Sequence, residues 1–278
     1  MPSGKARKPV YDFRQSQINA DQRQHMKKED CTVALPPIWV ANLERSPERR
    51  RFMQQQFASL HLSYRIINAS DGKQLSREEL QKYSKRHALK FKRRELSTGE
   101  IGCALTHAKI YQQMLDENLE EVLILEDDIV LTQDLLHVLL QRRKFPPKWE
   151  AVNLANTWAQ AIPLGEPVCK DYKICRFRGI ANRTSAYLIN RQGAKKLIDH
   201  VYPIRLPADD LLGLTQITKL RLYGITPSVV ALADFKSDIW SDKGEANELT
   251  FNDRKMWARI RKQGKMMWSR LKRPVIDR

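Results

Sequence analysis

Short apolar runs alternate with longer amphipathic segments along most of the chain. The apolar runs have the length and aliphatic content of buried strands, and they cover residues 38–43, 64–67, 122–125, 151–155, 185–190 and 225–232. The intervening segments space their apolar residues as helices do, beginning at Ser46, Ser76, Ser97 and Thr132, with a further one over 192–201. Strands that alternate with helices predict an α/β fold with a mostly parallel central sheet.

Three local signals sharpen this prediction. Residues 97–100 read Ser-Thr-Gly-Glu, a capping box that begins a helix predicted to run through Leu115. Ser46 precedes Pro47, which is typical of an N-cap residue followed by proline at the first helical position. The run Val122–Leu125 is wholly aliphatic, so we expect this strand to lie in the centre of the sheet with both faces covered.

The two ends of the chain differ from the middle. Residues 1–35 are polar and basic without a sustained period, which predicts a flexible arm. Residues 246–278 place tryptophan and aliphatic residues near one helical face among many Lys and Arg, which predicts a basic amphipathic helix. Such a helix either lies on an anionic membrane surface or docks its apolar face on the domain. The domain itself is predicted over residues 36–245.

The charge balance narrows the partners. The net charge is +17, from 49 Lys and Arg against 32 Asp and Glu, and it favours nucleic acid, phosphorylated small molecules or an acidic membrane surface. No apolar stretch approaches eighteen residues, and the first residues lack the apolar segment of a signal peptide. The four cysteines form no C-x-x-C pair, so we expect no structural zinc site and reduced thiols in a cytoplasmic protein.

A run of three carboxylates carries the strongest chemical signal. Glu126, Asp127 and Asp128 follow Val122–Leu125 directly, and open α/β sheets bind ligands at the carboxyl ends of their strands. Alternate residues point the same way, so Glu126 and Asp128 are predicted to converge on one Mg²⁺ or Mn²⁺ while Asp127 points elsewhere. Taken alone, a short acidic run is more often a solvated turn.

Further candidates follow the first two predicted strands. Arg45 and Arg49 suit contacts to phosphate or ribose oxygens, or they belong to a solvated helix face. Asp71 and Gly72 suit a contact to a ribose hydroxyl or a uracil N–H, or they form an ordinary turn. His107 lies in the capped helix, either as a structural residue or as a contact to a donor phosphate.

These segments together resemble glycosyltransferase family 25, which includes bacterial lipooligosaccharide galactosyltransferases and the collagen galactosyltransferases. The matching blocks are IWVANLERSPERR (38–50), INASDG (67–72), STGEIGCALTHAKIYQQML (97–115), VLILEDDIVL (122–131), RTSAYLINRQGAKKL (183–197) and PADD (207–210). Thr106 stands where the family usually has serine, and Ala208 where it usually has valine.

The resemblance implies a GT-A-like (Rossmann-like) fold, a UDP-sugar donor, usually UDP-galactose, and a divalent metal, Mn²⁺ or Mg²⁺, held by Glu126 and Asp128. It implies that the nucleotide is lined by Asn42, Leu43, Arg45, Arg49, Asp71 and Gly72. It implies a donor-facing helix that presents Glu100, Gly102, Thr106 and His107. For the base of an inverting transfer, Asp209 is the first candidate and Asp210 the next, although both also suit the start of a helix as simple charges.

We therefore predict a metal-dependent hexosyltransferase that moves galactose, with inversion to a β-linkage, to a hydroxyl of a lipopolysaccharide or lipooligosaccharide acceptor. Such an acceptor would bring a cytoplasmic enzyme to the inner face of the membrane. Two alternatives remain: a nucleic-acid-binding protein, suggested by charge alone, and a metal-dependent phosphohydrolase or nucleotidyltransferase. Because the aromatic residues are not interleaved with the basic ones and no known binding module is present, we expect no nucleic-acid partner.

Overall fold

A computed structural model describes residues 34–155, 160–181 and 183–235 of the chain. The predicted N-terminal arm lies outside the described residues except for its last two positions. The predicted amphipathic helix over 246–278 lies wholly outside them. Both remain predictions from the sequence.

The described residues form ten strands and eight α-helices. The strands are β1 (Ile38–Asn42), β2 (Arg65–Asn68), β3 (Glu121–Glu126), β4 (Ile129–Val130), β5 (Ala151–Asn153), β6 (Gln160–Pro163), β7 (Lys173–Arg178), β8 (Ala186–Asn190), β9 (Leu222–Thr226) and β10 (Ala231–Leu232). The helices are α1 (Pro47–Ser59), α2 (Arg77–Gln81), α3 (Lys85–Lys92), α4 (Thr98–Asp116), α5 (Gln133–Leu140), α6 (Arg191–Val201), α7 (Ala208–Gly213) and α8 (Thr215–Thr218). A 3₁₀ turn covers Arg142–Lys144.

Eight strands form one mixed sheet in the order β2-β1-β3-β8-β5-β9-β7-β6. The pairs β1–β2, β1–β3 and β5–β9 are parallel, whereas β3–β8, β5–β8, β7–β9 and β6–β7 are antiparallel. Only β7 and β8 therefore run against the other six strands. The predicted α/β class with a mostly parallel sheet is confirmed, and it is consistent with the GT-A-like fold that the resemblance implies.

The core lies on both faces of this sheet. Strand β3 sits between β1 and β8, and its residues Val122–Leu125 are all completely buried, which confirms the predicted central strand. Helices α4 and α6 pack against one face, while α1 and α5 pack against the other. Residues that alternate along β3 therefore enter two separate apolar clusters, as a doubly covered strand requires.

The helix starts follow the sequence signals with one exception. Ser97 and Glu100 form the predicted capping box at the start of α4, and Ser76 with Glu79 forms a second one at α2. Ser46 occupies the N-cap position of α1 with Pro47 after it, but its hydroxyl makes no capping hydrogen bond. The predicted cap at Ser46 is thus right in position and wrong in mechanism.

The predicted strand over residues 225–232 is wrong as a single element. Strand β9 ends at Thr226, and a separate strand, β10, begins at Ala231 and pairs with β4. Pro227 follows Thr226 directly, and proline has no N–H to donate to a strand ladder. Strands β6 and β7 were not predicted at all. Within the described part of the chain, none of the helices combines the length and the apolar character that crossing a bilayer requires.

Candidate active-site cleft

The carboxyl ends of β1, β2 and β3 meet at one edge of the sheet and open into a cleft. The three strands are parallel neighbours, and Ala41 of β1 lies beside Glu126 of β3. The first half of α4 forms the opposite wall. The cleft is lined by many of the predicted residues, namely Leu43, Arg45, Arg49, Asp71, Gly72, Thr106, His107, Glu126 and Asp128. Segments distant in sequence therefore converge where the sequence reasoning expected them.

The middle carboxylate of the acidic run is part of the scaffold. Asp127 is buried and accepts hydrogen bonds from Asn42 Nδ2 at 2.7 Å and Arg49 Nη1 at 2.9 Å. Burial raises the pKa of Asp127 above its ordinary value, although Asn42 and Arg49 oppose that shift. The side chain of Asn42, a residue predicted to line the nucleotide, holds Asp127. Asp127 nevertheless lines the same cleft as its two neighbours, and Arg49 Nη1 also lies 3.7 Å from Asp128 Oδ2.

Glu126 is held from one side by the start of β8. Its carboxylate accepts hydrogen bonds from Thr184 Oγ1 at 2.6 Å and from Ser185 Oγ at 3.2 Å. His107 Nε2 lies 3.5 Å from Glu126 Oε1. Burial works to raise the pKa of Glu126, but His107 and the two hydroxyls outweigh burial and lower it. The carboxylate of Glu126 is therefore fixed in orientation.

The surroundings of the Asp128 carboxylate favour a bound cation. Its Oδ1 is buried and finds no hydrogen-bond partner among the described residues, while Oδ2 lies 3.7 Å from Arg49 Nη1. Burial, then repulsion from Glu126, raises the pKa of Asp128 to about 7. A buried oxygen without a partner is costly unless an ion or a donor satisfies it. Asp128 and Glu126 thus fit a hard divalent cation, which takes carboxylate oxygens as ligands.

His107 is anchored in the core and presents only one nitrogen to the cleft. Its Nδ1 lies 2.7 Å from the hydroxyl of Tyr187, which in turn donates to the hydroxyl of Tyr111 at 2.9 Å. The other nitrogen, Nε2, faces Glu126. His107 thus contacts the acidic run, and its predicted contact to a donor phosphate stays a prediction.

Cys103 is a site residue that the sequence reasoning missed. It lines the cleft, and its sulfur lies within 4.8 Å of ligand atoms of both His107 and Glu126. Burial raises the pKa of the Cys103 thiol well above its ordinary value, with further contributions from Glu126 and Asp209. The available signal was spacing, because Cys103 precedes His107 by four residues, one helical turn, on α4.

The far end of the cleft is built from the loops after β1 and β2. Arg45 Nε donates to Asp71 Oδ2 at 2.8 Å, and the amide of Lys73 donates to Asp71 Oδ1 at 2.9 Å. Burial opposes these donors, but together with the nearby positive charges they lower the pKa of Asp71. Arg45 and Asp71, which were predicted as separate candidates, are therefore brought together. Lys73, which also lines the cleft, was not predicted.

Two glycines let the loop after β2 touch α4 backbone to backbone. A Cβ on Gly102 would lie 2.5 Å from the carbonyl oxygen of Ser70, and one on Gly72 would lie 2.3 Å from that of Thr98. Thr106 adds to this contact, because its Oγ1 accepts from the Ser70 amide at 2.9 Å and donates to the Gly102 carbonyl at 2.8 Å. Gly102 and the Thr106 hydroxyl therefore have a packing role, and their predicted donor contacts stay predictions.

Glu100 also serves the scaffold rather than the cleft. Its carboxylate completes the capping box of α4 and accepts from Arg94 at 2.6 and 2.7 Å. The described residues that line the cleft do not include Glu100, Gly102 or Asn42. Each of the three contacts the scaffold around the cleft, and the donor contacts that the resemblance implies for them stay predictions.

The two candidates for the base have different surroundings on α7. Asp210 pairs with Lys92, which binds its carboxylate. Asp209 accepts from the Asp210 amide at 2.8 Å, and burial, then the charge of Asp210, raises its pKa to about 6. The negative charge of Glu126 also contributes to raising the pKa of Asp209. The charge of Asp209 in turn contributes to raising the pKa of Cys103. A pKa of about 6 suits Asp209 to proton transfer near neutral pH.

Residues 35–212 match the sequence model of Glycosyltransferase family 25 (LPS biosynthesis protein), a span that contains the strand ends, α4 and the acidic run. The chain belongs to glycosyltransferase family 25. A "Glycosyltransferase 25 family member" of Aedes aegypti is 35% identical over 170 residues, covering 58% of this chain and 28% of that protein. The human "Procollagen galactosyltransferase 2" is 26% identical over 191 residues, covering 63% of this chain and 29% of that protein.

A bovine relative limits what membership in the family establishes. It is described as "Probable inactive glycosyltransferase 25 family member 3" and is 26% identical over 197 residues, covering 66% of this chain and 32% of that protein. The chain spans about a third of the length of the curated relatives it matches. The match over residues 35–212 establishes membership in a glycosyltransferase family. Membership does not by itself establish turnover, because one relative is described as probably inactive.

Proposed function

We propose that the protein transfers galactose from UDP-galactose to an acceptor hydroxyl, with inversion, using Mn²⁺ or Mg²⁺ held by Glu126 and Asp128. The observation that carries this proposal is the buried Oδ1 of Asp128, which lacks a hydrogen-bond partner among the described residues, in a residue that lines the cleft together with Glu126. A bound divalent cation would neutralise the diphosphate leaving group as the bond to the sugar breaks.

The far end of the cleft suits the nucleotide. Asp71 offers carboxylate oxygens of lowered pKa, so it accepts hydrogen bonds from ribose hydroxyls or a uracil N–H at neutral pH. Arg45 and Lys73 lie beside it and provide positive charge for phosphate oxygens. Leu43 and Gly72 supply the apolar and backbone surface between them.

Asp209 is the proposed base. As the acceptor oxygen forms its bond to the anomeric carbon, the hydroxyl proton passes to the carboxylate of Asp209 and UDP departs from the opposite face. A pKa of about 6 keeps this carboxylate ionised at neutral pH, yet basic enough to accept a proton. Asp210 is occupied by Lys92, and we assign it to positioning α7.

For the acceptor we propose an oligosaccharide hydroxyl of a lipopolysaccharide or lipooligosaccharide. The description of the matching family as an LPS biosynthesis protein supports this choice. The net charge of +17 suits an anionic glycolipid and the anionic inner face of a membrane, where a cytoplasmic protein would bind peripherally. The names of the procollagen galactosyltransferases support galactose as the sugar and give a second acceptor class for the test.

Donor binding is the first test. Calorimetry with a panel of UDP-sugars, in chelator and in Mn²⁺, should show binding of UDP-galactose that requires the metal. Asp128→Asn should remove the metal-dependent part. Asp116→Asn is the matched control, because it makes the same change at an exposed carboxylate on α4 that bonds only to Gln112 among the described residues. Binding that is unaffected by Asp128→Asn, or lost equally in both variants, contradicts the proposed cation site.

Turnover then separates the reactions. Incubation with UDP-galactose and either a lipooligosaccharide core or a procollagen peptide should yield UDP and a β-linked galactosyl product with only the first acceptor. Product on the procollagen peptide alone would replace the acceptor and keep the transferase. Release of uridine monophosphate or inorganic phosphate without sugar transfer would instead indicate a phosphohydrolase, and donor binding without any turnover would indicate an inactive family member.

A further inference from the structure

A second set of donor atoms overlaps the acidic run. Cys103 and His107 lie one turn apart on the same side of α4, and Glu126 faces them from the end of β3. One ligand atom from each of the three residues lies within 4.8 Å of the other two. All three residues line the cleft.

Neighbouring groups already orient two of these side chains. The Tyr187 hydroxyl binds His107 Nδ1 at 2.7 Å, which leaves Nε2 directed at Glu126, 3.5 Å away. Thr184 and Ser185 donate to the two oxygens of Glu126 and fix its plane. Histidine ligands of metals are held in this way, through a hydrogen bond on the nitrogen that does not bind the ion.

We propose that Cys103, His107 and Glu126 form a binding site for Zn²⁺, with one coordination position open to the cleft. A thiolate, an imidazole and a carboxylate are each ordinary zinc ligands, and three protein ligands with an open fourth position is the composition of solvent-accessible zinc sites. A thiolate ligand disfavours Mg²⁺ and Mn²⁺, which prefer oxygen. The buried thiol gives up its proton to solvent when the ion binds. The site differs from the structural zinc sites that C-x-x-C pairs form.

The site has a consequence for the proposed function. Glu126 belongs both to this triad and to the pair with Asp128, so Zn²⁺ removes one ligand from the hard cation. We therefore expect Zn²⁺ to antagonise the Mn²⁺-dependent binding of UDP-galactose. This consequence rests on the proposed function, whereas binding of Zn²⁺ itself does not.

Cobalt is the probe that distinguishes the two sites. Titration of the full chain with Co²⁺ should give a thiolate-to-cobalt charge-transfer band that saturates at one ion per chain and is abolished by Zn²⁺. Cys103→Ser should lose the band, while Cys169→Ser, the matched control at a cysteine outside the triad, should keep it. Asp128→Asn should also keep it, although it loses metal-dependent donor binding. Tyr187→Phe should weaken Co²⁺ about 10- to 100-fold, as loss of an orienting hydrogen bond does.

A wild-type titration without the band, or a band that persists in folded Cys103→Ser, overturns the proposal. A measurement on the wild type alone avoids dependence on the folding of a variant: alkylation of Cys103, followed by mass spectrometry, should be slowed at least tenfold by equimolar Zn²⁺. Alkylation at the same rate with and without Zn²⁺ also overturns it. A cobalt band together with failure of Mn²⁺-dependent donor binding would keep this site and reject the proposed function.

Discussion

The ion pair between Arg49 and Asp127 should be the main electrostatic support beneath the cleft. Both side chains are only 9% exposed, and Arg49 Nη1 lies 2.9 Å from Asp127 Oδ1. Arg49→Met keeps much of the aliphatic length but leaves the Asp127 carboxylate buried without its cation. Removing one partner of a buried pair costs about 3–5 kcal/mol, because the remaining charge has lost its solvent and its partner.

The lower end of that range applies here. Asn42 Nδ2 still donates to Asp127 at 2.7 Å in the variant, so the carboxylate keeps one of its two strong donors. We expect Arg49→Met to lower the free energy of unfolding by about 3 kcal/mol, and the Tm by about 6–12 °C for a domain of this size. Arg49→Met combined with Asp127→Asn removes both charges and should recover about 2 kcal/mol of that loss.

Urea denaturation followed by circular dichroism measures these differences, with each variant in chelator so that metal binding does not contribute. Arg65→Met is the matched control, because Arg65 pairs with Glu117 at the surface, where the side chains are 50% and 32% exposed. That control should cost at most about 1 kcal/mol. Equal costs for the two single variants, or a double variant no more stable than Arg49→Met, would refute the assignment of Asp127 to the scaffold.

Three further predictions follow. Gly102→Ala should cost about 1–3 kcal/mol in urea denaturation and weaken UDP-sugar binding in calorimetry, because the new Cβ would lie 2.5 Å from the Ser70 carbonyl oxygen and displace the loop after β2. Glu150→Gln should cost about 2 kcal/mol by the same assay, because this buried carboxylate accepts from the Arg221 amide at 2.8 Å and its guanidinium at 2.7 Å. A general base acts only when it is deprotonated. Because the pKa of Asp209 is raised to about 6, kcat/KM should fall as the pH drops below 6. A fall in kcat/KM that begins only near pH 4, the ordinary pKa of an aspartate, would contradict that role.

The sequence predicted elements best where local chemistry agreed with tertiary environment. The capping box at residues 97–100 begins α4 as expected, and the aliphatic run of β3 lies in the centre of the sheet. Strand β7, Lys173–Arg178, was not predicted because four of its six residues are basic or partly exposed, and only Ile174 and Cys175 are buried. Strand β7 lies beside the edge strand β6, where polar residues are tolerated. A search for runs of buried apolar residues does not detect such a strand.

The cleft could be predicted where it is built from the ends of parallel strands. The carboxyl ends of β1, β2 and β3 meet there because the three strands run in the same direction. A position at such a strand end was therefore sufficient to group Arg45, Asp71 and Glu126. The scaffold behind them was not predictable in the same way. Asn42 and Arg49 have polar side chains that suit a nucleotide equally well, and only their distances to Asp127 show that they serve that carboxylate.

The remaining part of the cleft comes from the start of an antiparallel strand. Leu125 of β3 pairs with Ala186 of β8, and since β8 runs the other way, the residues just before it lie beside the end of β3. Thr184 and Ser185 thereby reach Glu126, and Tyr187 reaches His107. The rule that ligand sites lie at carboxyl ends of strands overlooks such residues, because in an antiparallel neighbour the amino end occupies that edge. In mixed sheets of this kind, hydroxyl and aromatic residues at the start of the reversed strand should therefore be considered together with the acidic run.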